Sequence, residues 1–201
     1  TLSVLVSALG GTVLGAVAGF YGGRIDNLIM RFVDIWMAIP NLLLNISVVA
    51  ALGQGMHKVI LAIGIANIPN YCRIIRGSVL ANKSHEYVES ARASGASDAF
   101  IIFYHIIPNC IAPLIVQMTL SIGNAILVCS SLSFLGIGVV PPTPEWGAML
   151  STGRAWIRDY PHMTLFPGLA ILLTILSMNL LGDGLRDALE DRKSTRLNSS
   201  H

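Results

Sequence analysis

An all-α integral membrane protein with about five transmembrane helices is the fold class this sequence predicts, on three observations. The 201 residues are 53% hydrophobic and only 12% charged, with a mean hydropathy of +0.66, which leaves too little polar surface to coat a water-soluble globule. Charged residues divide the chain into long uncharged runs, and a bilayer core of about 30 Å takes about 20 apolar residues per helix. The cations also fall unequally between the two ends of those runs, as membrane orientation demands.

The first run, residues 1–23, lacks the basic leader of a cleavable signal. Glycines recur in it at Gly11, Gly15, Gly19 and Gly23, one stripe that lets another backbone approach closely, so tight packing is expected. Next, Ile25, Leu28, Ile29, Phe32, Val33 and Trp36 share one helical face, with Arg24, Asn27, Arg31 and Asp34 opposite. The pattern fits a helix lying in the membrane interface with Trp36 at headgroup depth, or equally a solvated cap.

Residues 35–57 form the second predicted span. The third begins from only fourteen uncharged residues, 59–72, too short at about 1.5 Å per residue. It must extend past Arg73 and Arg76, whose long side chains can snorkel to the surface. Residues 99–144 carry no charge for 46 positions, but Pro108 and the cluster Pro141, Pro142 and Pro144 confine the fourth span to about 108–135. The fifth is residues 160–182.

The tripeptide Ile-Pro-Asn occurs at residues 39–41, 68–70 and 107–109, at unequal offsets that exclude a repeat architecture. Pro40 and Pro108 can open helices, whereas Pro69 sits inside its span and should kink it, as a gate or a simple bend. If the second span enters from the cytoplasm, Arg24, Arg31, Arg73, Arg76, Lys83, Arg92 and Arg186 lie inside and Lys58, Arg154 and Arg158 outside. This arrangement satisfies the positive-inside rule and starts the chain outside.

The cytoplasmic stretch 82–105 carries the chemistry. Ser84 can cap a helix whose first turn holds Glu86 and Glu89, and Gly95 then permits a turn before Ser97 or Asp98 caps a second helix. Two short helices joined at a glycine make a compact knob, either gripped by a partner or an ordinary connection between spans.

Glu89-Ser90-Ala91, Gly95 and Ile106-Ile107-Pro108 resemble the EAA loop of permease subunits from binding-protein-dependent ABC importers. The wider string from Glu86 to Asp98, with Ile101-Ile102-Phe103 and His105 to Asn109, is similar to the dipeptide/oligopeptide/nickel branch. Later signatures of that branch follow in order: Ser133-Phe134-Leu135-Gly136-Ile137-Gly138, then Pro141 to Gly147, then Gly182-Asp183-Gly184-Leu185-Arg186-Asp187-Ala188-Leu189. Two departures stand out. Phe100 and Tyr104 occupy positions where the branch often has a basic residue, and Ser90 replaces the middle alanine.

The resemblance implies a multi-pass permease subunit in a prokaryotic inner membrane, in contact with lipid. It would pair with a sister permease subunit to line a pathway for peptides or nickel and receive cargo from an external substrate-binding protein. Cytoplasmic ATPase subunits would dock on the loop near residues 84–108, through Glu86, Glu89, Ser90, Ala91, Gly95, Ala96, Ser97, Asp98 and Pro108. In that docking Glu89 would pair with a cation, Ala91 would allow close approach, Gly95 would set the angle between the short helices, and Pro108 would start the fourth span. Hydrolysis of ATP would belong to the partner, leaving this chain without catalytic, cofactor-binding or metal residues. The family pattern also has one more amino-terminal span. The permease domain would be residues 1–189, and residues 190–201 fit nothing in the pattern and read as a disordered or foreign tail.

Other classes find little support. The net charge of +2 comes entirely from residues beyond 190, which argues against a nucleic-acid binder. Cys72, Cys110 and Cys129 lie in apolar stretches without metal-ligand spacing. An ion-coupled carrier or channel working without ATP, the main alternative, would need ionisable groups within the spans, where only Arg73 and Arg76 stand. An intramembrane hydrolase would need a nucleophile elbow or a zinc helix, and neither motif occurs. Trp146, Trp156 and Tyr160, in the external loop 138–162, suit an aromatic belt or a contact with the binding protein. His105 and His162 read as interfacial side chains.

Overall fold

The computed structural model describes residues 1–139 and 142–198, the stretch 190–198 as backbone only. Pro141 of the predicted proline cluster and residues 199–201 of the predicted tail lie outside the described residues. Among the described residues every regular element is helical. Four helices among the described residues are long and apolar enough to cross a membrane, or five spans if one sharply bent pair counts as a crossing.

Leu2–Tyr21 (α1) packs along Met56–Asn82 (α4) through its glycine stripe. A Cβ added to Gly15 would stand 2.5 Å from the Cys72 carbonyl oxygen, and one on Gly11 would overlap Cβ of Tyr71. The missing side chains therefore let the two backbones touch. Ser7 Oγ, on the same seam, donates to the Gly64 carbonyl at 2.8 Å. Gly23 does not join the stripe. With φ of +65° at Gly22 and +56° at Gly23, these two glycines turn the chain into Gly23–Met37 (α2).

α2 is the predicted amphipathic helix, but its apolar residues Leu28, Phe32 and Ile35 are exposed. Val33 is buried, and two ion pairs join α2 to α4. Arg76 Nε and Nη2 donate to the Asp26 carboxylate at 2.5 and 2.7 Å, and Arg73 Nη2 donates to Asp34 Oδ1 at 2.5 Å. The arginines that lengthen the third span are thus matched by the neighbouring helix.

Asn41–Leu52 (α3) leaves α2 at 88°, so the second predicted span, 35–57, is not one straight rod. Pro40 stands at the break and restrains Ile39 before it, and the twelve residues of α3 reach only about 18 Å. α4 carries Pro69 buried in its interior. After it come Glu86–Ala93 (α5) and Asp98–Phe100 (α6), a π-helical turn over Ile101–Ile106, and Ile107–Phe134 (α7).

From Asp98 to Phe134 the helix is continuous for 37 residues; its α-helical part opens at Ile107 with Pro108 in the first turn, and a π-helical turn joins it to the helix before. Ile107 N–H reaches back to the Ile102 carbonyl, and this looser ladder precedes a residue that cannot donate and would crowd a tight α-turn.

α7 ends at Gly136 (φ +82°), where Ile137 N–H donates to the Leu132 carbonyl at 3.1 Å in a Schellman closure. Within the loop between α7 and the last long helix lies a helix that hydropathy does not announce, Trp146–Gly153 (α8). Glu145 caps it by accepting from Ala148 N–H at 2.7 Å and holds α7 by accepting from Ser130 Oγ at 3.0 Å. A 3₁₀ turn over Arg154–Trp156 follows, and then His162–Asn198 (α9), longer than the predicted 160–182. Asp183, Arg186 and Asp187 end its apolar stretch without ending the helix.

Two apolar clusters sit at opposite ends of the bundle. One joins Val4, Ala8, Val59, Ile63, Tyr71 and Leu132. The other joins Ala16, Phe20, Ile75 and Val79 to Val88, Ile101, Ile106 and Cys110, and carries the loop of interest.

Candidate functional site

The loop between α4 and α7 is built as an anchored knob. α5 has His85 as its amino-terminal cap residue, with no side-chain bond, so Ser84 does not serve as the predicted cap. Glu86 and Glu89 lie in its first turn, favourably placed for the helix dipole. The helix closes at Gly95. There φ is +82°, Gly95 N–H donates to the Arg92 carbonyl at 3.0 Å and Ala96 N–H to the Ala91 carbonyl at 3.1 Å. This is again a Schellman motif, in which Ala91 and Ala96 occupy the positions that usually make its apolar contact. Ser97 then caps the next helix, its Oγ accepting from Phe100 N–H at 3.4 Å.

Burial divides the knob into two faces. Val88 is 1% exposed and Ile101 and Ile106 are fully buried against α1 and α4. Each such side chain contributes about 1.5–3 kcal/mol of apolar burial. Arg92 adds a cation–π contact, its guanidinium carbon 5.6 Å from the Phe20 ring centre. Glu86, Glu89, Ser90, Gly95, Ser97 and Asp98 face outward and are exposed, whereas Ala91 and Ala96 are half-buried and packed against the apolar cluster. The small size of Ala91 therefore serves packing on its own subunit. Pro108 is exposed on the long helix beyond the π-helical turn. The predicted loop residues thus separate into an outward polar set, an inward alanine pair and one remote proline.

Sequence reasoning missed a row of rings beside this loop. His85 stacks on Tyr87 at 5.6 Å, Tyr87 lies 6.3 Å from His105, and Phe100 stacks on Tyr104 at 4.7 Å and meets His105 edge-on at 5.6 Å. Asn109 Nδ2 donates to the Tyr87 hydroxyl at 3.3 Å, and that hydroxyl donates to Asn82 Oδ1 at 3.4 Å. Burial raises the Tyr87 phenol above its ordinary pKa. The spacing of Phe100 and Tyr104, one helical turn apart, was the available signal. Together the rings stiffen the junction between α5 and the long helix. Among the described residues no three of His, Cys, Asp and Glu gather where they could hold a metal ion.

Residues 11–195 match the family described as binding-protein-dependent transport system inner membrane component. The glutathione transport system permease protein of Pectobacterium atrosepticum is 49% identical over 190 residues, covering 94% of this chain and 63% of that protein. The dipeptide transport system permease protein of Haemophilus influenzae is 48% identical over 189 residues, covering 94% and 64%. The chain thus spans just under two thirds of the length of these curated relatives. Inward-facing structures of the MetNI methionine ABC transporter share the fold, with a TM-score of 0.68 at 15% identity over 92% of this chain and 90% of that one. The match over most of the chain shows that it belongs to the family of binding-protein-dependent transport system inner membrane components.

Proposed function

We propose that this chain is the permease subunit of an ATP-driven importer of peptides, forming half of a translocation pathway with a sister permease. In this reading the outward face of the knob docks a cytoplasmic ATPase, and an external binding protein delivers cargo. The relatives are named for glutathione and dipeptide transport, cargoes that share the amide linkage; nickel, carried by another member of the branch, is the remaining candidate. In this reading the permease unit covers residues 1–189, and the residues that follow continue α9 through Asn198, with the family match reaching residue 195, rather than starting a separate tail at 190.

The observation that carries the proposal is the anchored knob: an eight-residue helix whose inner face is buried and whose outer face is polar and small. A partner that moves as a rigid body can drag the spans only through a stiff handle. Here Val88, Ile101 and Ile106 attach the handle to α1, α4 and α7. Since an exposed ion pair contributes only about 0–1 kcal/mol, the fit of the handle should matter more than the charge of Glu89. The test is purification of the chain in detergent with its sister subunit. An ATPase should co-purify, with turnover stimulated by a loaded binding protein, and its absence would overturn the reading.

A further inference from the structure

Four asparagines meet between α3 and α4, and two of them come from the repeated Ile-Pro-Asn tripeptide. Asn41 Nδ2 donates to Asn67 Oδ1 at 3.5 Å, and Asn70 Nδ2 donates to the same oxygen at 3.4 Å. Asn45 is fully buried; its Nδ2 donates to the Asn41 carbonyl at 2.8 Å and to Asn41 Oδ1 at 3.0 Å, while its own Oδ1 has no partner. Asn41 is exposed, and Asn67 and Asn70 are half-buried, so the cluster opens onto the surface of the subunit.

Its depth gives this opening meaning. α4 spans Met56–Asn82, so Asn67 and Asn70 lie within two residues, about 3 Å, of the centre of the helix. Asn67 is already partnered at both ends, its Nδ2 donating to the Ile63 carbonyl at 3.0 Å; amide groups of Asn41 or Asn70 left facing hydrocarbon at that level would cost several kcal/mol. They must meet water or another polar group. A carboxamide offers one acceptor beside two donors, which matches the N–H and C=O of a peptide bond whatever its side chains.

We propose that Asn41 and Asn70, held together by Asn67, line the translocation pathway and bind the backbone amides of the passing peptide. The inference deepens the importer reading and rests on it. The cluster reads the feature common to all peptides, and Asn45 holds Asn41 in place.

The test uses the complete importer in proteoliposomes, with an alanine dipeptide and its N-methylated analogue as probes. Asn41→Leu, at an exposed position, should lower dipeptide uptake about three- to tenfold, the worth of one lost hydrogen bond. It should narrow the preference for the unmethylated peptide while the sister permease and the ATPase stay in the purified complex. Asn41→Cys should react with a charged thiol reagent above the background of Cys72, Cys110 and Cys129, and saturating cargo should slow that reaction. Unchanged uptake with no labelling would overturn the proposal, as would loss of the sister permease from Asn41→Leu complexes, which would assign the cluster to the subunit interface. If the unsubstituted assembly shows no stimulated ATPase, the importer reading itself has failed and this proposal falls with it.

Discussion

Replacing Gly95 with valine tests whether the knob acts as a rigid handle. At φ +82° a β-branched residue costs about 1–3 kcal/mol. The surrounding space is open, because no heavy atom lies within 4 Å of a Cβ built there. The cost is therefore conformational. It falls on the junction closed by the Ala96 N–H bond to the Ala91 carbonyl, and about 2 kcal/mol shifts the ratio of closed to open junction by about thirtyfold. Val88 and Ile101, on either side, keep the flanking helices seated, so membrane insertion should be normal while α5 loses its fixed angle. In proteoliposomes, at matched levels of inserted protein, Gly95→Val should abolish uptake. Gly95→Asn, whose side chain tolerates the left-handed region, should retain most of it, with Gly95→Ala between them. Normal uptake by Gly95→Val would refute the handle. Equal damage from asparagine and valine would refute the conformational cause and point to collision with a partner.

Three further outcomes are expected. Arg76→Gln should destabilise the chain by about 1–3 kcal/mol, because it strands the largely buried Asp26; thermal unfolding in detergent should show the Asp26→Asn/Arg76→Gln pair losing less than the sum of the single changes. Gly15→Val should disrupt the α1–α4 seam, whereas Gly77→Ala, with nothing within 4 Å of its added Cβ, should raise stability by about 0.5–1 kcal/mol on the same melting assay. Glu145→Ala should cost about 1 kcal/mol through the lost cap of α8, and faster proteolysis of the 142–162 segment would reveal it.

Features set by local pattern were legible in the sequence. Uncharged run lengths located α1, α4, α7 and α9, and the glycine stripe announced the close contact that α4 completes. The amphipathic period placed α2 but could not reveal its partner, since the Asp26–Arg76 pair joins residues 50 positions apart. The same limit hid the asparagine cluster: three of its members look like punctuation around prolines until α3 and α4 are brought side by side. In the loop, Gly95 and Ser97 were readable as turn and cap, but the inward role of Ala91 depended on knowing that α1 and α4 lie beneath it. α8 escaped because an eight-residue helix leaves no hydropathy signature, and the π-helical turn because residues 101–106 are compatible with ordinary helix.

That turn fixes an angular relation between the knob and the bilayer rods. An α-helix advances about 100° per residue, and the wide turn at Ile101–Ile106 absorbs part of that rotation. Deleting one residue there would restore ordinary winding, yet leave α5 and the Gly95 closure pointing around the helix axis toward a different neighbour. The direction in which the handle faces is thus indexed by a local miscount in the ladder just upstream of Pro108.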